Sequence, residues 1–124
     1  MVEFRFERVE RDDPRMEELF RLRYQVYVTE CEFEAQEDHS DGRETDDYDE
    51  HSSHFCAIVF DPESPDPPRI IGTVRMILGF SEGLPDYKMP IESHCPFWAD
   101  EVRRLETLRQ QGIRFAEISR LAIS

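Results

Sequence analysis

Positive charge is the scarcest property of this sequence: 15 Lys and Arg stand against 28 Asp and Glu, a formal net charge of -13 at pH 7. A nucleic-acid partner is therefore not expected, because neutralising phosphates requires a basic surface. Cysteine is sparse too. Cys31, Cys56 and Cys95 are odd in number, widely spaced and in no C-x-x-C pattern. This points away from a disulfide framework and toward reduced thiols in a cytoplasmic protein. No apolar run is long enough to cross a bilayer, and no basic start precedes an apolar segment. Neither a spanning helix nor a signal peptide is expected.

What is present suffices for a core: 124 residues, 39% hydrophobic, with nine Phe, the size of one small domain or a piece of a larger one. The acidity is local. Residues 30–50 carry eleven acids and one Arg.

Residues 3–9 alternate, with Phe4 and Phe6 on one side and Glu3, Arg5 and Glu7 on the other, which is strand patterning. Asp12-Asp13-Pro14 then supplies a helix start, and the apolar stripe of Met16, Leu19, Phe20, Val26 and Tyr27 predicts a helix over 14–29. Residues 31–51 read as a long polar loop, too charged for core; loops of this length in compact domains are often functional. The apolar runs 54–60 and 69–78, joined by the Pro-rich segment 61–68, predict an antiparallel hairpin. An irregular connection over 81–96, an amphipathic helix over 98–111 through Trp98, Val102, Leu105 and Leu108, and a strand over 114–124 complete the chain. The expected class is α/β (α+β), with a mostly antiparallel central sheet and flanking helices.

Several charges do not fit this apolar framework. Arg23 falls within the apolar stripe of the first helix, either paired with a carboxylate or snorkelling to water. Arg75 shares a strand face with Ile71, Thr73 and Ile77, while Ile70, Gly72, Val74, Met76 and Leu78 form the other. Asp46 and Asp49, spaced D-x-x-D, could meet these guanidiniums bidentately or stay solvated like the acids around them. Glu117 and Arg120 lie three apart in the last strand, on opposite faces unless a bulge intervenes. Glu117 could also merely balance Arg75 across the sheet.

Arg23 in RLRYQVYVTE, the acidic run ending in Asp49, Arg75 in GTVRMI, and Glu117 and Arg120 in EISRLAI occur in an order that resembles the autoinducer-synthase-like branch of the GNAT acyltransferases. That branch includes acyl-homoserine-lactone synthases, N-acyl amino acid synthases and exosortase-associated acyltransferases; RYQVYVTE, LPDYKMPIESHC and AEISRLAIS are most similar to the last group. The resemblance implies a GNAT-like fold and transfer of an acyl group from a thioester, on acyl carrier protein or coenzyme A, to an amine. It implies no cofactor beyond that donor. Arg23, Phe33, Asp46, Asp49, Arg75 and Arg120 become acceptor-pocket residues, and Glu117 the candidate base that deprotonates the amine. Homoserine-lactone synthases carry an aromatic pair including a Trp after the first helix; here Phe33 stands near one member, and the single Trp is Trp98. An amino acid or other small amine is therefore favoured over S-adenosylmethionine.

In GNAT folds the strand matching 115–124 leads into a loop and helix N-terminus that hold the donor. The chain is accordingly expected to be the N-terminal, acceptor-side part of such an enzyme. The alternative is a non-catalytic GNAT-like binding module that keeps the charged network for stability. His51, His54 and Cys56 form H-x-x-H-x-C beside Asp49, with His39 nearby, yet no compact second ligand pair follows, so no metal is assigned. Arg103, Arg104 and Arg109 offer the basic helix face against which an acidic carrier protein would dock.

Overall fold

The computed structural model describes residues 1–80, 83–84, 86–94 and 99–124. Trp98, read as the start of the last helix, and Cys95 lie outside the described residues. Four strands, β1 (Glu3–Val9), β2 (Ser52–Phe60), β3 (Arg69–Leu78) and β4 (Ala116–Ile123), form one sheet in the order β1-β2-β3-β4, every pair antiparallel. Helix α1 (Met16–Tyr24) joins β1 to the acidic segment, and α2 (Pro90–His94) and α3 (Ala99–Gln110) precede β4. Among the described residues no helix is long and apolar enough to cross a membrane.

The first helix departs from its sequence expectation. It is a regular α-helix only to Tyr24, then widens into a π-helix over Gln25–Glu30, with the Cys31 amide donating to the Val26 carbonyl at 2.9 Å. The wider turn rotates later side chains, so Val28 is buried while Val26 and Tyr27 are only half-buried. Met16 and Leu19 pack with Val9, Cys56 and Ile58 to make the core, with Phe20 and Ile70 against it. Ile70 belongs there because of a register shift: Ala57 faces Gly72 but Ile58 faces Ile70, leaving Ile71 as an extra residue. Strict alternation assigned Ile70 to the opposite face; the bulge turns it inward.

Thr73, Arg75 and Ile77 are buried beneath α1 and the acidic segment, whereas Phe4, Phe6, Ile118, Leu121 and Ile123 lie on the other, uncovered face. One face of the sheet therefore carries the helix and the charges, and the other is apolar and open.

The end of β3 meets the start of β4 at Gly79. Its amide donates to the Phe115 carbonyl at 2.8 Å, and its own carbonyl accepts from Arg109 Nε at 2.8 Å. A Cβ here would lie 2.7 Å from the Phe115 carbonyl oxygen and 2.6 Å from its ring. Gly79→Ala should lower stability by about 1–3 kcal/mol, the usual range for overpacking. Urea titration measures this, and an unchanged midpoint would show that Phe115 yields freely.

Candidate functional site

The acidic segment is not simply a solvated loop. It contains two single 3-10 turns, Gln36–His39 and Asp47–His51, and it buries His39, Glu44 and Asp49. The D-x-x-D spacing closes the second turn. The Asp46 carboxylate accepts from the Tyr48 amide at 2.9 Å, and Asp49 Oδ2 accepts from the Asp46 amide at 2.8 Å. This is a reciprocal cap, with each acid satisfying a backbone donor that the turn leaves open.

The free edges of these carboxylates face two buried guanidiniums. Arg23, only 1% exposed, donates through Nη1 to Asp49 Oδ1 at 2.6 Å, through Nη2 to Asp49 Oδ2 at 3.3 Å, and through Nε to Glu44 Oε2 at 2.6 Å. Arg75, 2% exposed, grips Asp46 with Nη1 to Oδ1 at 2.6 Å and Nη2 to Oδ2 at 3.0 Å, and reaches Asp49 Oδ1 at 3.1 Å. Its remaining donors meet Ser119 Oγ on β4 at 3.2 and 3.4 Å. Asp49 thus bridges both arginines. The paired alternative holds for Arg23, Arg75, Asp46 and Asp49. Glu44, also 1% exposed, was not singled out from the sequence. One acid among eleven in its stretch carries no distinguishing signal there.

Electrostatics follow from this packing. Burial pushes the Asp49 carboxyl up, but the hydrogen bonds and charge of Arg23, with the Asp46 amide and Arg75, outweigh it and hold Asp49 below the usual carboxylate range. Arg75 is likewise opposed by burial, and Asp46 and Asp49 more than offset it. His54 Nε2 lies 3.1 Å from the Asp49 carbonyl oxygen, which can only accept, so Nε2 carries the proton. Burial lowers the His54 pKa from its ordinary 6.5, and Arg23 and Arg75 add to that, overriding the favourable pull of Asp49. Nε2 is thereby occupied, and among the described residues no three His, Cys, Asp or Glu side chains converge as metal ligands.

β4 brings Glu117 and Arg120 to the same face through a bulge. Ser119 faces Arg75 and Ala122 faces Thr73, so Arg120 and Leu121 together oppose Val74. Arg120 takes a left-handed backbone with φ 53°, uncommon for a side chain other than Gly, Asn or Asp. The Tyr27 hydroxyl holds the distortion by donating to the Leu121 carbonyl at 2.5 Å, and the Arg120 guanidinium lies 5.4 Å from the Tyr27 ring centre. Arg120 Nη2 donates to Glu34 at 3.0 Å, while its Nε lies 3.1 Å from Glu44 Oε1 in a charge contact lacking hydrogen-bond alignment. Three guanidiniums therefore face four carboxylates, Glu34, Glu44, Asp46 and Asp49. Phe33, 73% exposed, lies 6.3 Å from the Tyr27 ring at the outer end of this cluster. At the other end, Glu117 Oε2 accepts from the Ile91 amide in α2 at 3.0 Å, and its Oε1 takes no hydrogen bond from a described residue.

A family model for an acetyltransferase (GNAT) domain matches residues 22–124, the segment that holds every one of these groups. The chain belongs to this family. Comparison with curated proteins and with solved structures finds no match. The four-stranded antiparallel sheet with its helices is accordingly an α/β arrangement consistent with part of a GNAT fold. Within this GNAT domain, Arg23 has its donors engaged by internal carboxylates, and Arg75 by internal carboxylates and Ser119. The geometry suits them to fixing the acidic segment over β3 and β4. Arg120, 27% exposed at its side chain, is the arginine of the network that reaches toward solvent.

Two predictions follow from burial and from the shifts. Arg23→Ala or Arg75→Ala should destabilise by about 3–5 kcal/mol, because each strands buried carboxylates. Denaturant unfolding that matches the parent would mean these carboxylates find other partners. Because the folded His54 pKa is depressed, the unfolded chain binds the extra proton first. Its contribution is complete above the ordinary 6.5 and is lost as pH falls from there toward the folded value. Asp49, also depressed, adds a second loss at lower pH, below its ordinary 3.8. His54→Gln should flatten the fall in melting temperature below pH 6.5; an unaltered slope would assign that fall to other groups.

Proposed function

We propose that this GNAT domain carries the acceptor side of an N-acyltransferase, moving an acyl group from a thioester on acyl carrier protein or coenzyme A to an amine such as an amino acid. The supporting observation is the position of Glu117: a carboxylate anchored by one oxygen on the α2 amide, with the other taking no hydrogen bond from a described residue, on the strand face that also presents Ser119 and Arg120. An ammonium cannot attack a thioester. Glu117, directly or through water, would take the proton from the amine. The nitrogen then forms its bond to the carbonyl carbon, the carbon–sulfur bond breaks, and the carrier thiolate leaves. The charged network would hold β4 and the acidic segment in a fixed relation, which is the positioning that this chemistry requires.

The likeness to N-acyl amino acid synthases and exosortase-associated acyltransferases supports a small amine acceptor, with Phe33, Arg120 and the carboxylates of the network beside its pocket. Arg103 and Arg104 lie exposed on α3 and remain the proposed contact for an acidic carrier, in a cytoplasmic setting consistent with the free thiols of Cys31 and Cys56. Arg109 is redirected, since it forms a two-point pair with Glu92 at 2.6 and 3.0 Å. One observation favours the second reading, a binding module without turnover: the Arg23 and Arg75 guanidiniums are already engaged within the protein.

Glu117→Gln keeps an acceptor for the Ile91 amide while removing the base. Amide products extracted from cells making the protein, quantified by mass spectrometry, should fall on the order of 100-fold or more with the fold intact. Equal product from the variant would take Glu117 out of the mechanism.

A further inference from the structure

Glu117 is anchored on a helix that has little to anchor itself. α2 spans only Pro90–His94, and Pro90 has no amide to donate. Met89, just before it, accepts from the Glu92 and Ser93 amides at 3.0 and 3.2 Å. A thioether is a weak acceptor, so Met89 offers the Ile91 amide no side-chain cap of the kind a Ser or Asp would give. Glu117, arriving from β4, takes that amide at 3.0 Å. Its carboxylate is therefore only as fixed as α2 is.

Glu92 does the fixing. Its side chain is enclosed, and Oε1 reaches back to accept from the Met89 amide at 3.1 Å. Arg109 of α3 meets both Glu92 oxygens, Nη2 to Oε1 at 2.6 Å and Nη1 to Oε2 at 3.0 Å, the two-point geometry that holds orientation as well as charge. The same guanidinium donates through Nε to the Gly79 carbonyl at 2.8 Å and lies 5.0 Å from the centre of the Phe115 ring. Phe115 stands two residues before Glu117, on the same side of an extended chain. One side chain thus ties α3, α2, the end of β3 and the start of β4, the four pieces that meet around Glu117. Lys88, paired with Glu106, adds a second tie between α3 and the segment entering α2.

We propose that Arg109 and Glu92 are positioning residues for Glu117: their pair sets α2 so that the Ile91 amide holds one carboxylate oxygen and leaves the other directed at the amine. The inference rests on the acyltransferase reading for what Glu117 does, and it adds two residues that touch no substrate. Glu92 acts through the backbone of α2, and Arg109 acts through Glu92.

The test reads the anchor and the reaction separately. In the protein without ligand, hydrogen exchange at the Ile91 amide, followed by NMR, reports the bond to Glu117, and Glu117→Ala should release it. Exchange at the amides of β2, a strand paired on both sides, reports the fold. Arg109→Lys keeps the charge and loses the two-point grip. Glu92→Gln keeps the shape and turns one acceptor into a donor facing Arg109. Each should speed Ile91 exchange about tenfold or more, with β2 at parent rates. Amide product in cells, quantified by mass spectrometry, should fall roughly 10- to 100-fold with either variant. Added to Glu117→Gln, the same substitution should cost less than about twofold more, because both act on one group.

An Ile91 amide unprotected in the parent, or exchanging at the parent rate in both variants, would overturn the proposal. So would an equal loss of product with and without Glu117, or loss of β2 protection in both variants, either of which makes the pair a strut of the whole fold. If the variants release Ile91 and the parent forms no amide product, the anchor stands and the transfer reading falls. If they release Ile91 and form as much product as the parent, the transfer reading stands and the role of the pair in it falls.

Discussion

Placing a guanidinium beneath a helix commits the surrounding chain to bringing carboxylates to it. Arg23 is 1% exposed on α1 and Arg75 is 2% exposed on β3, and neither element supplies an acid of its own to the pair. The partners come from the segment between α1 and β2. Asp49 is held by both arginines, so the segment cannot leave one without breaking the other. An ion pair of this kind adds little net stability over a hydrophobic substitute, since desolvation offsets much of the attraction. What it does supply is position: a stretch with eleven acids, which would otherwise be repelled into solvent, is tied across the sheet face.

The same constraint organises β4. Ser119 answers the donors of Arg75 that the carboxylates do not use, and the next residue, Arg120, is turned by the bulge toward Glu34 and Glu44. Tyr27 of the π-helix fixes that bulge from the other side. The π-widening after Tyr24 and the left-handed backbone at Arg120 are both departures from regular geometry, and they meet at one contact. Local irregularity of this sort commonly accompanies a functional site. Here the two departures let Glu117, Ser119 and Arg120 share a face, which a straight strand forbids.

The fold was largely legible. Alternation in β1, the Asp-Asp-Pro helix start and the Pro-rich link between two apolar runs each rest on local chemistry, and the structure follows them, with α1 beginning at Met16, two residues after the proline. Departures arose wherever one residue changed the phase: the π-helix buried Val28 in place of Val26 and Tyr27, and the extra residue at Ile71 sent Ile70 into the core. At the site, Arg23 and Arg75 were legible as charges in apolar elements that demand partners, whereas the spacing of Asp46 and Asp49 left pairing and solvation both open until the structure closed the turn on them. Glu44 was not legible. An acid among acids carries no periodicity against which to look misplaced.

The amino-acid order by itself determined the strands, the helix start, the acidic loop and the presence of arginines that would need partners, because these follow from side-chain periodicity and the cost of burying charge. Only tertiary structure decided which carboxylate meets which guanidinium, that Glu117 and Arg120 lie on one face, and which side of the sheet is covered. Phe4 and Phe6 alternate correctly with Arg5 and Glu7, yet it is the face bearing Arg5 and Glu7 that α1 packs against. Period tells a strand that it has two faces; only the neighbouring element, held in place by contacts distant in sequence, tells it which one is inside.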